Sequence, residues 1–132
     1  MRELNVKEIM AAVAKLCCDA CYYLPQDLLE KFKASRDTEE SPLGREVLET
    51  IIENAELAAR KDVPLCQDTG LAVVFLEIGQ EVHFTGGALE EAVNAGVAEG
   101  YTKGYLRKSS VDDPLFERKN TQDNTPAIIH TS

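Results

Sequence analysis

No stretch of this 132-residue sequence approaches the ~20 consecutive apolar residues that a membrane-spanning helix requires. Positive charge is also scarce: 14 Lys and Arg stand against 23 Asp and Glu, a formal net charge of −9. Phosphate backbones are bound by basic surfaces, so no nucleic acid is expected as a partner, and no membrane either. A small anionic substrate remains open, because it responds to the local field of its site. Met1-Arg2-Glu3-Leu4-Asn5 lacks the apolar region of a signal peptide, and a cytoplasmic location is expected. Internal repeats and low-complexity segments are absent as well. Cysteine is sparse, at positions 17, 18, 21 and 66. In a reducing compartment such a set is read as metal binding, catalysis or burial rather than as a disulfide framework.

What is present is an ordinary globular composition, 44% hydrophobic and 28% charged, of a length that suits one domain. Val6, Ile9, Met10, Val13, Leu16, Cys17 and Ala20 recur at helical spacing, which predicts an amphipathic helix to about Tyr22 with Asn5 as N-cap. A shorter helix is predicted over 26–36, with Pro25 at its first turn. Ser41-Pro42 opens the clearest helix, with an apolar stripe of Val47, Leu48, Ile51, Ile52, Ala55, Ala58 and Ala59. It ends at Arg60-Lys61, where positive charge suits a helix C-terminus.

Pro64 to Gly70 then reads as a loop. Residues 71–78 are nearly all apolar and predict a strand buried on both faces. Val82-His83-Phe84 continues the sheet, and Thr85-Gly86-Gly87 leads into a helix over 88–100 with Leu89, Ala92, Val93 and Val97 inward. Residues 105–125 carry no strong period, and 126–130 return to a strand-like run. Asn120 and Asp123-Asn124-Thr125 are read as turn residues. The fold class expected is α+β, N-terminal helices packed with a small mixed sheet, with a helical part at 1–62 and a strand/helix part at 63–132. The abrupt end on a strand-like run suggests one piece of a longer protein.

Pro64-Leu65-Cys66-Gln67-Asp68-Thr69-Gly70 is the sharpest local feature. It sets a thiol, an amide and a carboxylate side by side on a loop between a long helix and a strand, where rigid elements present binding groups. A thiolate suits an iron–sulfur cluster, but on spacing alone a lone cysteine such as Cys66 is more often a small buried apolar residue. Cys18-x-x-Cys21 has redox or zinc spacing, yet lies on a helix without the Gly or Pro of a knuckle, and burial is the preferred reading. His83 is read as structural, and His130 is given no catalytic role. Arg107-Lys108 and Arg118-Lys119 are basic pairs on an acidic background, readable as solvated charge or as anion contacts.

The string PLCQDTG, followed in order by TGGALEEAVNAGVAEGY (85–101), LRKSSVDDPLFERKN (106–120) and TQDNTPAIIH (121–130), resembles the N-terminal portion of class I iron–sulfur hydro-lyases of the fumarase and tartrate dehydratase kind. The similarity spans essentially the whole chain. It implies a [4Fe–4S] cluster in the full enzyme with Cys66 as one metal ligand, and a dicarboxylate substrate held by Gln67, Asp68 and Arg107, with Arg118 a second candidate. It further implies a β subunit or C-terminal domain as partner, which would supply the proton-transfer residues, and reversible hydration of fumarate, with L(+)-tartrate dehydration as alternative. The family's other two cluster cysteines lie well downstream of this loop, and no cysteine follows Cys66 here. The 132 residues alone are therefore expected to hold neither cluster nor activity. A docking or oligomerisation module is the reading from another class, and homo-oligomers are expected.

Overall fold

The computed structural model describes residues 1–132. The elements are, in chain order, β1 (Arg2–Asn5), α1 (Val6–Tyr22), α2 (Gln26–Thr38), α3 (Pro42–Lys61), β2 (Val73–Leu76), β3 (Val82–Thr85), α4 (Leu89–Lys103), β4 (Val111–Asp112), β5 (Lys119–Asn120) and β6 (Ile128–Thr131). The class is α+β, as expected. Strand pairing is mixed and divided among three two-stranded sheets: β1 with β3 and β2 with β6 are parallel, and β4 with β5 is antiparallel. The chain forms two compact units, residues 1–18 with 68–132, and residues 19–67.

In the first unit the start of α1 and all of α4 meet through glycines. A Cβ at Gly96 would lie 2.6 Å from the Met10 carbonyl oxygen, and one at Gly100 would lie 2.8 Å from that of Ala14. Only a residue without a side chain admits so close a helix crossing. The core that results contains Val13, Ala72, Val93 and Val97, the last two wholly buried. Ile9, Cys17, Val74, Leu76, Leu89 and Ile129 pack against it. At the start of α1 the Asn5 side chain accepts from the Lys7 amide at 3.0 Å, the capping role its sequence position predicts.

Three sequence expectations need correction here. Val82-His83-Phe84 does not continue the sheet of the preceding strand but pairs with β1 in a separate one. The strand after the Pro64–Gly70 loop is shorter than 71–78, and it is not buried on both faces. Val74 and Leu76 turn to the core, whereas Val73 is 48% and Phe75 77% exposed. β2 has one neighbour, β6, and one packed face; on the outer face Phe75 stacks on His130 with ring centroids 5.0 Å apart. Residues 2–5, too few and too polar to register as a strand in sequence, pair with β3 in register Arg2↔Val82 to Asn5↔Thr85.

The second unit is built on α2 and α3. Ser41 caps α3, its hydroxyl accepting from the Gly44 amide at 3.3 Å with Pro42 in the first turn, and Asp62 closes it in the left-handed conformation. Ile52, Ala55 and Ala58 are buried, but Val47 is 51% and Ile51 38% exposed, so only part of the apolar stripe faces inward. Lys33–Glu56 (2.8 Å) and Arg36–Glu49 (2.9 Å) join the two helices. The pairing with Lys33 holds the Glu56 carboxyl below its ordinary pKa. The Tyr23 hydroxyl donates to Asp62 at 2.5 Å, which raises the phenol above its ordinary value.

Candidate functional site

The singled-out residues fall in both units, and each is located within its own. Cys66 and Gln67 close the second unit. The chain leaves α3 through Asp62; the Leu65 amide donates to the Cys21 carbonyl (2.8 Å) and the Cys66 amide to the Asn54 side chain (3.0 Å). These two anchors fix the backbone of the loop while the Cys66 side chain remains exposed. The helix–loop transition thus presents the thiol on a rigid base.

Asp68 and Arg107 belong to the first unit, where both are exposed. Asp68 accepts from the following Thr69 amide at 2.7 Å, which turns the backbone toward Gly70. Gly70 is then held on three contacts: its amide donates to the Ser109 hydroxyl (3.1 Å), and its carbonyl accepts from that hydroxyl (3.2 Å) and from the Asn124 amide nitrogen (3.2 Å). The segment after Arg107-Lys108 is held by the same asparagine. Asn124 Oδ1 accepts from the Ser109 amide (2.8 Å), the Ser110 amide (2.9 Å) and the Ser110 hydroxyl (3.0 Å). The loop of Asp68 and the loop of Arg107 are therefore brought together, two residues beyond each candidate side chain.

Asn124 is wholly buried and sits at φ 64°, a left-handed conformation that asparagine tolerates better than most residues. Its neighbour Asp123 accepts from the Thr125 hydroxyl (2.7 Å) and amide (3.0 Å), which lowers the Asp123 carboxyl from its ordinary value. The Asn120 side chain donates to the Lys108 carbonyl at 3.0 Å. Sequence reasoning identifies these as turn residues but misses Asn124 as a hub. The signal available was an asparagine among Asp, Thr and Pro; its partners lie 14 to 54 residues away.

Arg118 is exposed at φ 50° beside the β4–β5 ribbon, and its amide donates to the Asp113 carbonyl at 3.0 Å. Cys17 packs against the core of the first unit, and the Cys18 thiol donates to the Gly100 carbonyl at 3.7 Å. No group of three or more His, Cys, Asp or Glu side chains in residues 1–132 is placed to hold a metal ion. Cluster irons require several thiolates, so these residues by themselves do not fit a [4Fe–4S] cluster. A recess of about 660 Å³ in the second unit is lined by Arg36, Arg45, Glu40, Glu46 and Glu49. Arg36 is already paired with Asp37 and Glu49 there, and none of the candidate residues lines the recess.

A family model described as Fumarate hydratase (Fumerase) matches residues 10–132. A relative from Methanocaldococcus jannaschii, provisionally named L(+)-tartrate dehydratase subunit alpha, is 38% identical over 124 residues, which are 92% of this chain and 44% of the relative. The L(+)-tartrate dehydratase subunit alpha of Escherichia coli K12 is 29% identical over 124 residues, 94% of this chain and 40% of that protein. The chain thus spans less than half the length of these curated relatives. No helix is long and apolar enough to cross a membrane.

Proposed function

The chain belongs to the fumarate hydratase (Fumerase) family, and we propose that it forms part of a hydro-lyase that reversibly adds water across fumarate to give malate. The observation that carries this reading is the family match over residues 10–132, which includes the whole Pro64–Gly70 loop and the Arg107 segment. Arg107 is of the residue type that dicarboxylate binding calls for, since a planar guanidinium grips a carboxylate through two parallel N–H···O bonds. Gln67 and Asp68 are proposed, on the resemblance of their motif, to contact the dicarboxylate or its hydroxyl. Fixing the dianion in this way lowers the entropic barrier to reaction at the double bond. The proton at carbon is handled by a residue outside these 132.

Cys66 is proposed as one thiolate ligand of a [4Fe–4S] cluster, the remaining ligands coming from further sequence of the length the relatives possess. A β subunit or C-terminal domain is proposed as partner, in line with the alpha-subunit names of the relatives; cytoplasmic location and homo-oligomers belong to the same proposal. L(+)-tartrate dehydration is the second reading, favoured by those two names. The two substrate classes differ at a hydroxyl, and they share the same dicarboxylate grip.

The test is turnover of fumarate and of L-tartrate by the holoenzyme that contains this chain, the first followed through loss of the unsaturated dicarboxylate and the second through formation of the 2-oxo dicarboxylate to which the dehydrated enol tautomerises. Fumarate hydration is the expected result. Dehydration of tartrate without fumarate turnover selects the second reading, and turnover of neither overturns both. Iron and sulfide analysis of the 132 residues alone addresses the cluster, where four irons per chain would contradict the account.

A further inference from the structure

The geometry points to Asn124 as the positioning residue of the dicarboxylate site, clamping the Asp68 loop to the Arg107 loop; the inference rests on the function proposed above. Its carboxamide is divided between the two loops. Oδ1 takes three donors from Ser109 and Ser110, and Nδ2 gives one bond to the Gly70 carbonyl. The group is wholly buried, so water cannot replace a lost partner. Ser109 repeats the link with its own hydroxyl, which both accepts from the Gly70 amide and donates to the Gly70 carbonyl.

Each held backbone lies close to a candidate side chain: Gly70 two residues after Asp68, Ser109 two after Arg107. Asp68 and Arg107 are themselves exposed. The clamp joins the backbones that carry them, and it does so two residues beyond each. A site that fixes a dianion between an acid and a guanidinium needs their spacing defined before substrate arrives. Aspartate at 124 would keep the acceptor side and lose the donor side; glycine would keep the left-handed backbone and lose both.

Two variants separate these arms. In Asn124→Asp the carbonyl-carbon chemical shift of Gly70 should move, because that carbonyl loses the Nδ2 donor, while the Ser109 and Ser110 amides stay slow to exchange; in Asn124→Gly the shift should move and both serine amides should exchange about 10-fold or more faster. In the holoenzyme, Asn124→Asp should raise KM for the dicarboxylate by about 10-fold at unchanged iron content and with kcat within about threefold. A purely structural asparagine would instead reduce the amount of folded enzyme and leave KM alone. Unchanged KM in a fully loaded Asn124→Asp enzyme overturns the positioning role, and Ser109 and Ser110 amides that exchange no faster in Asn124→Gly overturn the clamp. If the wild-type holoenzyme turns over neither dicarboxylate, the proposed function fails and the substrate link with it, whereas the exchange data still decide the clamp.

Discussion

The two units of the chain are held by different physics. The unit of residues 1–18 and 68–132 has a core with two wholly buried valines, a helix crossing that admits only glycine, and a buried asparagine with four partners. In the unit of residues 19–67, α2 buries no residue, α3 buries Ile52, Ala55 and Ala58, and the links between the helices include a half-exposed ion pair, Lys33–Glu56, and a partly buried one, Arg36–Glu49. Exposed pairs contribute little and are screened by salt. The more deeply buried contacts thus lie in the unit that carries Asp68 and Arg107, while Cys66 stands on an exposed loop with two backbone anchors.

The largest expected effect breaks the first unit at its polar hub. Asn124→Ala leaves the buried Ser110 donors and the partly buried Ser109 amide without their acceptor and puts a Cβ-bearing residue without a capping amide at φ 64°. Urea unfolding should show a loss of about 3–5 kcal/mol; a loss below about 1 kcal/mol would mean that water reaches the cavity. Next is Gly100→Ala, whose methyl group would sit 2.8 Å from the Ala14 carbonyl oxygen and 2.9 Å from the Cys17 Cβ. Overpacking of this kind costs about 1–3 kcal/mol, and thermal melting would reveal it. A neutral or stabilising result would contradict the close crossing.

The second unit should respond less. Ser41→Ala removes the single side-chain cap on α3 and should cost about 1 kcal/mol; a loss as large as that at Asn124 would erase the contrast between the units. Smallest is Asp123→Asn, which tests the charge alone. The Asp123 carboxyl is held below its ordinary pKa by the Thr125 hydroxyl and amide. Its contribution is therefore present above the unfolded value of about 4 and is lost as pH falls through the folded value. The melting difference between wild type and variant should be steady above about pH 5 and shrink in more acidic solution. A difference that grows on acidification would reverse the assignment.

Helices were the most legible part of the sequence. Asn5, Ser41-Pro42 and the inward Leu89, Ala92, Val93 and Val97 mark local structure through neighbours three or four residues away. Strands were less so. Residues 71–78 report apolar side chains but not how many layers cover them, and β2 is covered on one face. The two-residue β4 and β5 and the polar β1 carry too few side chains for a period to register. At the candidate site, Cys66, Gln67, Asp68 and Arg107 stood out through the resemblance of whole motifs. Asn124 did not, because its importance lies in partners at Gly70 and Ser109–Ser110 that only the folded chain brings to it.

The measurement nearest to the central claim is kcat/KM for fumarate in the holoenzyme, wild type against Arg107→Ala. A guanidinium in bidentate contact with a carboxylate predicts a loss of about 10- to 150-fold, the worth of a hydrogen bond to a charged group. An Arg107→Ala enzyme that stays within about twofold of wild type would contradict the assignment of this loop to the dicarboxylate.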